Sequence, residues 1–355
     1  MSMGQWRREA ACAASLAVLL GAASALADPA AAPSVDHHMH IFSPEASRVL
    51  TIICARVGPA KCPPEISKAP STGADVLRSL DAAGIRQGVL LSTAYFYASP
   101  DVADLHLDLA KETRAENRFI VEQARASCGR LAAFISVNPL APNAIDEIGY
   151  WAHAGGATGL KLHLGNSGVD LRAPEQVKRM AAVFRAADRA RFPIVIHLQT
   201  RAADYGAEDA AIFLRNVAPA ARGVPIQVAH AAGGGGLDSG ELAALATFAD
   251  AFQRDPDGTR NIFFDLAMVP DEVSNTARIA ATPEHVAALE ALVQRIGPQR
   301  FVLGSDWTAG LDLAHYFADE RAALALPPAE WDALAANVAP YMRSVRPARA
   351  GCAAR

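Results

Sequence analysis

Two histidines, His38 and His40, stand two residues apart in the apolar run 35–42 near the start of the chain. Side chains two residues apart in an extended strand point to the same side. Two imidazoles on one side can bind the same metal ion, and imidazole is a ligand for Zn, Fe, Cu and Ni. The pair alone is a modest signal, so the remaining candidate ligands decide what it means.

Three further polar residues each terminate an apolar run elsewhere in the chain. His197 ends the run 193–197, His230 ends the run 224–230, and Asp306 follows the run 300–305. If these runs are parallel strands of a barrel, their carboxyl ends meet at one mouth. A mixed set of histidine and carboxylate suits Zn, Mn or Fe, and an ion with an open position lowers the pKa of bound water toward about 7.

The elements that must position these residues are eight short apolar runs alternating with helical patterns. The predicted strands cover residues 35–42, 88–93, 131–137, 158–164, 193–198, 224–230, 261–268 and 300–305. The predicted helices include 74–83, 102–126, 174–190, 240–252 and 283–296. Near-continuous apolar strands separated by amphipathic helices are typical of a parallel sheet with a covered outer face. Eight such units predict an α/β fold, a single-domain (β/α)8 TIM barrel.

The composition fits an enzyme-sized globular chain. The 355 residues are 51% hydrophobic and include only 5 cysteines, which excludes collagen and small disulfide scaffolds. With 33 Lys+Arg against 37 Asp+Glu the formal net charge is −4, so no nucleic-acid partner is expected. We expect a small-molecule substrate as the partner, and the sequence leaves a homo-oligomer open.

The first 27 residues predict an export signal. Arg7 and Arg8 form a positive start, residues 10–23 form an apolar stretch, and Ala25-Leu26-Ala27 is a cleavage motif. The apolar stretch is shorter than the roughly 20 residues that a spanning helix needs, so cleavage is predicted rather than a stable membrane anchor. We therefore expect a periplasmic or secreted protein after cleavage near Ala27.

The segment 43–72 departs from the strand and helix rhythm, because it contains five prolines together with Cys54 and Cys62. It follows the first strand, so it is predicted to be a long Pro-rich loop beside the mouth of the barrel. A Cys54–Cys62 disulfide would staple this loop in an oxidising compartment, and two unpaired thiols are the alternative. The barrel is predicted to span residues 28–345, followed by a frayed tail at 346–355.

The motifs together resemble the amidohydrolase superfamily, in particular its amidohydrolase-related branch of metal-dependent hydrolases and decarboxylases. They run in barrel order from residue 35 to about residue 340 and are specific for the superfamily as a set, but not for a substrate. The matching motifs are Val35-Asp36-x-His38-x-His40, Gly159-Leu160-Lys161-Leu162-His163, Ile196-His197, Ala229-His230, Asn261-Ile262-Phe263-Phe264-Asp265-Leu266, Gly304-Ser305-Asp306-Trp307 and Asn337-Val338-Ala339.

The resemblance implies a ligand set of His38, His40, His197 and Asp306 around one divalent metal ion. Zn is the first choice, with Mn and Fe as alternatives. Asp306 would then accept the proton of an attacking water, and His230 would polarise a carbonyl or protonate a leaving group.

Lys161 and His163 lie on one face of the fourth predicted strand and are candidates for metal bridging or substrate binding. Related binuclear enzymes carry a carboxylated lysine on this strand, which would add a second metal ion held by His197 and His230. The alternatives for Lys161 are contact with a substrate anion and a structural, ion-paired or snorkelled lysine. Four ligands already suffice for one ion, so the sequence favours a mononuclear site.

Five further residues are candidates for substrate contact, namely Tyr95, Arg201, Gly233, Gly234 and Trp307. The N–H groups of the two glycines could cradle a carboxylate, or the glycines form a plain turn. The arginine could clamp an acidic substrate or form an exposed salt bridge. The tyrosine could line the pocket or pack at its rim, and the tryptophan follows the last candidate ligand directly.

These residues predict a metal-dependent hydrolase that cleaves an amide, ester or lactone bond of a small organic molecule with metal-activated water. The alternative within enzymes is a non-oxidative decarboxylase of an aromatic or unsaturated acid on the same metal site. The alternative of another class is a metal-free barrel that only binds a ligand. Four converging ligands argue against it, because a protein without catalysis has no physical need to keep them together.

Overall fold

The computed structural model of the protein describes residues 32–59, 62, 67–269, 281–324 and 326–345. The predicted export signal and the predicted tail at 346–355 lie outside these residues. Within them, none of the helices has both the length and the apolar character that crossing a bilayer requires.

Eight parallel strands form one sheet in which every strand pairs with the next one along the chain. The strands are β1 Val35–Met39, β2 Gln87–Leu91, β3 Leu131–Ser136, β4 Gly159–His163, β5 Ile194–His197, β6 Ile226–Val228, β7 Ile262–Asp265 and β8 Phe301–Val302. The seam between β8 and β1 is joined by backbone hydrogen bonds, from His37 N to Leu303 O at 3.1 Å and from His40 N to Trp307 O at 2.8 Å. The predicted (β/α)8 barrel is confirmed.

Helices cover the outside of the barrel. The described α-helices are α1 Pro44–Val57, α2 Gly73–Ala82, α3 Leu109–Ala126, α4 Ala144–Ala154, α5 Leu164–Ser167, α6 Pro174–Arg189, α7 Ala207–Asn216, α8 Ser239–Arg254, α9 Pro283–Ile296, α10 Leu313–Leu324 and α11 Pro328–Ala336. The predicted helix 102–126 is divided, because Asp108 accepts a hydrogen bond from Lys111 N and starts α3 there. The preceding residues form a 3₁₀ segment, Pro100–Leu105.

The segment 43–72 differs from the predicted loop, because Pro44–Val57 is helical. The Ser43 side chain accepts a hydrogen bond from a backbone N–H of the first turn, and Pro44 stands at the start of the helix, where a missing N–H costs little. Proline therefore marks a helix start here rather than a loop. Gly58, with φ of 81°, ends the helix. Cys54 in the last turn is bonded to Cys62, which confirms the predicted disulfide.

The barrel interior has two layers. The lower layer, at the amino ends of the strands, is apolar, and the upper layer lies at the carboxyl ends. The lower layer consists of Val35, Val89, Leu91, Ala132, Phe134, Val195, Phe263, Val302, Ala339, Tyr341 and Met342. Side chains alternate along a strand, so residues two positions apart point to the same side. His197 therefore lies above Val195 in the barrel interior, and Asp265 lies above Phe263.

Both ends of the described barrel meet at the lower side. The carbonyl oxygen of Ser34 accepts a hydrogen bond from Arg86 N at 3.2 Å. Gln87 directly follows Arg86, and its Nε2 donates a hydrogen bond to the carbonyl oxygen of Val345 at 3.0 Å. The first and last segments therefore contact adjacent residues at the start of β2.

Candidate metal centre

His38 of β1 and His40, which lies one residue past the end of this strand, face each other at the upper end of the barrel. Their Nε2 atoms lie 3.2 Å apart, and both residues are buried. The β1 ladder shifts register between Asp36 and Met39, which re-aims the strand just below them. Asp36 holds this irregular stretch by accepting hydrogen bonds from His38 N at 3.1 Å and from Ser305 Oγ at 2.5 Å.

The outer nitrogen of each imidazole is bound to an acceptor of the protein. Nδ1 of His38 lies 3.1 Å from Asp265 Oδ2, and Nδ1 of His40 lies 2.8 Å from the carbonyl oxygen of Leu91. Carbonyl and carboxylate oxygens only accept, so each Nδ1 carries the ring hydrogen and each neutral ring has a lone pair on Nε2. This arrangement, in which the second nitrogen is fixed by an acceptor, is typical of metal-binding histidines.

Asp306 completes a small triangle of acceptors. Its Oδ1 lies 3.3 Å from Nε2 of His38 and 3.3 Å from Nε2 of His40. Desolvation would raise the pKa of this carboxyl group, but the neighbouring histidines outweigh that effect and hold the pKa well below its ordinary value. The side chain is 32% exposed, so an ion bound by it would be accessible from the mouth.

His230 stands on the same side of the site. One ligand atom each of His38, His230 and Asp306 lie within 4.8 Å of one another. The chain turns sharply here, because His230, Ala231 and Ala232 have φ of 54°, 50° and 75°, a left-handed conformation that is costly for residues other than glycine. Nδ1 of His230 donates to Ala267 O at 2.7 Å.

The residues present fit a divalent cation. The lone pairs of His38 Nε2 and His40 Nε2 and an ionised oxygen of Asp306 point at one place, and negative or lone-pair atoms at such distances repel one another unless a cation or proton lies among them. Burial and the charge of Lys161 lower the pKa of His38, and burial and His38 lower the pKa of His230 to about 4. The donor set is therefore neutral imidazole and carboxylate, as Zn, Mn or Fe requires.

Lys161 faces inward from β4. Its Nζ lies 3.1 Å from His38 Nε2, and only 1% of the residue is exposed. Burial lowers the pKa of Lys161 to about 8, while the carboxylates of Asp306 and Asp265 act in the opposite direction. The three predicted roles of this lysine, carbamate, anion contact and structural ion pair, stay open.

His163 and His197 are paired in the β4–β5 ladder and stack with ring centroids 3.8 Å apart. Nδ1 of His163 accepts a hydrogen bond from Asn166 N at 3.2 Å, and its Nε2 lies 3.0 Å from Asn166 Nδ2. Both nitrogens of His163 therefore contact Asn166. The ring of His197 lies 5.0 Å from that of His230, and its role as a metal ligand stays a prediction.

Sequence reasoning assigned no role to Asp265, which organises the site from β7. Its Oδ2 contacts His38 Nδ1, and its Oδ1 accepts hydrogen bonds from the backbone nitrogens of His230 at 2.9 Å and Ala267 at 3.2 Å. Burial would raise the pKa of Asp265, but its contacts with His38 and with the backbone N–H of His230 lower it instead. The sequence feature that could have identified Asp265 is its position as a polar residue at the end of an apolar run, as at His197.

Arg201 and the glycine run contact other residues of the protein. Arg201 forms an ion pair with Asp101, at 2.5 Å from Nη2 to Oδ2 and with an exposed guanidinium, in agreement with the salt-bridge alternative. Gly234 N donates to Glu241 Oε1 at 2.6 Å, so that amide binds a carboxylate of the protein itself. A Cβ on Gly233 would lie 2.5 Å from the same side chain, which explains the need for glycine. A substrate role for these residues stays a prediction.

The two aromatic candidates are buried. Tyr95 is stacked at an angle on His163, with ring centroids 5.0 Å apart, and therefore lies beside the histidine cluster. Trp307 donates its indole N–H to Leu311 O at 3.2 Å and is packed in the core. Their substrate roles are not tested by these contacts.

The chain is similar to known proteins in sequence and in fold. The amidohydrolase family model matches residues 35–337. No curated protein matches the chain. The fold is similar to that of a probable 2-pyrone-4,6-dicarboxylic acid hydrolase from Acinetobacter baumannii, with 14% identity, a TM-score of 0.53, and coverage of 84% of this chain and 95% of the other.

Two decarboxylase structures are similar to the same extent. The 5-carboxyvanillate decarboxylase of Sphingomonas paucimobilis has 15% identity and a TM-score of 0.55, over 85% of this chain and 96% of the other. The enzyme of the same name from Novosphingobium aromaticivorans, complexed with manganese, has 15% identity and a TM-score of 0.55, over 87% of this chain and 95% of the other. Identities this low show a shared fold.

Proposed function

Because the chain belongs to the amidohydrolase family, we propose that it is a metal-dependent hydrolase that cleaves an amide, ester or lactone bond of a small organic molecule. The observation that carries the proposal is the triangle of His38 Nε2, His40 Nε2 and Asp306 Oδ1, whose sides are 3.2, 3.3 and 3.3 Å. Its three acceptors leave a place for a cation at the mouth of the barrel.

His38, His40 and Asp306 would hold the ion, with His197 or His230 as a further ligand. Zn is the first candidate, and the manganese of one structural neighbour supports Mn as the alternative. Such an ion, when bound, supplies Lewis-acid chemistry and lowers the pKa of water. The single lone pair of His38 Nε2 cannot accept a hydrogen bond from Lys161 and bind an ion at the same time. Lys161 would therefore have to move away from His38 Nε2 or give up a proton when an ion binds.

Two side chains are suited to move protons at this site. Asp306 is ionised and partly exposed, so it can take the proton of an attacking water. His230 donates its Nδ1 hydrogen to Ala267 O, so its Nε2 can accept a proton if it is not a ligand. Burial lowers the pKa of His230 to about 4, so at neutral pH its Nε2 carries a lone pair rather than a proton.

A non-oxidative decarboxylase is the second candidate, and Lys161 is the observation that favours it. A buried ammonium beside the triangle would attract a substrate carboxylate, which a decarboxylase must bind close to the metal. The decarboxylases among the structural neighbours are consistent with this reaction on the same fold.

Metal analysis and product analysis test the proposal. Protein purified without chelator is expected to contain about one ion per chain, and His38→Ala is expected to lose it. His315→Ala is the matched control, because the imidazole of this histidine is exposed and forms an ion pair with the surface residue Asp319. Protein is then incubated with lactones, esters, amides and aromatic acids.

The two reactions have different products. Hydrolysis adds one water to the substrate mass, and decarboxylation removes one carbon dioxide. A wild-type protein without metal, or with the same metal content after His38→Ala, would defeat the metal-dependent reaction. Carbon dioxide release without any hydrolysis would replace the first candidate by the second.

Export to the periplasm or medium belongs to the same proposal. The cleavage motif before Asp28 supports it, and so does the Cys54–Cys62 disulfide, because disulfides persist in oxidising compartments. Intact-mass measurement of protein from the native host is expected to show a chain that begins at Asp28. Retention of Met1 would contradict export with cleavage.

A further inference from the structure

A row of hydrogen bonds runs from the metal centre down the axis of the barrel. His38 Nδ1 contacts Asp265 Oδ2 at 3.1 Å, the same oxygen accepts from Gln227 Nε2 at 2.6 Å, and Gln227 Oε1 accepts from Tyr341 Oη at 2.5 Å. All four side chains are buried. The row therefore connects a candidate metal ligand with the segment that fills the lower end of the barrel.

Each bond in this row has one possible direction. Asp265 is a carboxylate that only accepts, so Gln227 must turn its amide nitrogen toward it and its amide oxygen away. That oxygen in turn requires a donor, which the hydroxyl of Tyr341 provides. The opposite amide orientation would place two oxygens 2.6 Å apart and leave the hydroxyl without this acceptor.

The ring of Tyr341 is held independently of its hydroxyl group. It packs edge-on against Phe134 with centroids 4.9 Å apart and lies 6.2 Å from Phe263. It belongs to the short segment Pro340–Ser344, which closes the lower layer. Replacing it by phenylalanine thus keeps the packing and removes only the donor.

We propose that Tyr341 is a positioning residue of the metal centre, acting through Gln227 and Asp265 to fix the imidazole of His38. This inference rests on the proposed metal-dependent function. Without the hydroxyl, the Gln227 amide oxygen loses its donor and the amide is held only at its nitrogen end, so the donor to Asp265 is less firmly fixed. The His38 ring then samples more orientations, and binding an ion must first restore the correct one.

The test is the affinity of metal-free protein for zinc, measured by competition with a chromogenic chelator. Tyr341→Phe is expected to weaken zinc binding about tenfold, the lower end of the range for residues that support metal ligands. Gln227→Met, which breaks the row at the next position, is expected to weaken it at least as much. Tyr97→Phe is the matched control, because it removes a buried hydroxyl that contacts Glu116 away from the site.

A double-mutant cycle separates transmission through the row from a general loss of stability. In protein that already carries Asp265→Asn, Tyr341→Phe is expected to cause no further loss of zinc affinity, because the connection is already broken. Full additivity of the two losses would overturn the inference. So would equal zinc affinity of wild type and Tyr341→Phe, or an equal loss in Tyr97→Phe.

The two proposals fail in different ways. A wild-type protein that binds no zinc or manganese would remove the metal-dependent function and this inference together. A wild type that binds zinc with unchanged affinity in folded Tyr341→Phe would remove only this inference. If Tyr341→Phe does not fold, Gln227→Met gives the same decision.

Discussion

The upper and lower layers of the barrel interior are built on the same strands and differ in nearly every other respect. On β5, Val195 belongs to the apolar lower layer and His197 to the histidine cluster. On β7, Phe263 likewise belongs to the lower layer, and Asp265 contacts His38 in the upper layer. On each strand the apolar residue of the lower layer and the polar residue of the site are therefore two positions apart, about 7 Å along the strand.

Left-handed backbone occurs at both ends of the strands, at single residues before β3 and β5 (Cys128 and Arg191) and in a run of three after β6. Several described non-glycine residues with positive φ follow the upper ends of strands, namely His230, Ala231, Ala232, Met268 and Asp306. Such conformations cost about 1–3 kcal/mol each and persist only where the surroundings enforce them. At His230 the surroundings include Asp265, whose Oδ1 accepts a hydrogen bond from His230 N at 2.9 Å.

The largest expected effect comes from the upper layer. His38→Ala and Asp306→Asn should each lose the bound ion and bring turnover below detection, because they remove an acceptor of the triangle. The free energy of unfolding of metal-free protein should change little, since these residues serve function more than packing. Elemental analysis and chemical denaturation check this. Full metal occupancy in both variants would exclude these residues as ligands.

A substitution in the lower layer should have the opposite result. Phe134→Ala is expected to reduce the free energy of unfolding by about 3–5 kcal/mol, since it removes a fully buried ring. At saturating zinc, the metal content of the protein that remains folded should stay at the wild-type value, because no ligand is removed and a looser Tyr341 ring lowers only the affinity. Urea titration and metal analysis of the folded fraction measure the two quantities. Metal loss with unchanged stability would contradict the division between the layers.

Lys161 should give the upper layer a pH dependence at mildly alkaline pH. Burial lowers its pKa from 10.5 to about 8, so between these values the unfolded chain binds a proton that the folded protein does not. The free energy of unfolding of metal-free protein should therefore rise with pH over this window, by about 3 kcal/mol in total.

Lys161→Met should lose this rise, and Lys178→Met should keep it, because Lys178 is exposed on α6 and paired with Glu175. Urea titrations from neutral pH to pH about 10 measure the difference. The same slope in Lys161→Met and wild type would mean that this lysine does not titrate in the folded protein as proposed.

The smallest effect is expected at the rim. Arg201→Ala breaks an exposed ion pair with Asp101, so the free energy of unfolding should fall by less than about 1 kcal/mol. Metal content should not change. A rise in KM with unchanged kcat would give Arg201 the substrate-binding role that its present contacts leave untested. Unchanged kinetics would leave it as a salt-bridge residue.

The barrel and the converging side chains could be predicted because both depend on short-range patterns. Apolar runs define strands, and a polar residue at the end of each run must lie at the mouth. His38, His40 and Asp306 come together for this reason. The predicted strands are longer than the observed strands, because apolar residues beyond the paired stretches also pack in the core.

What the sequence did not predict depends on local context or on distant partners. Pro44 reads as a loop residue until Ser43 is recognised as a helix cap. Asp265 ends its strand like a candidate ligand, yet the partners of its side chain come from β1 and β6 and are visible only in the folded barrel. The contact between Tyr341 and Gln227 joins residues 114 positions apart, which no sequence pattern records.

The meeting of Ser34 and Val345 at the start of β2 makes the described barrel a candidate for circular permutation. A short flexible linker could join these two segments without crossing the mouth, and new termini could open at an exposed turn on the outer surface. In such a rearranged chain β8 would lead into β1 through α10, α11 and the linker. The seam between the first and last strands would then become a local connection, and the order in which the barrel closes during folding could be altered without changing a residue of the metal centre.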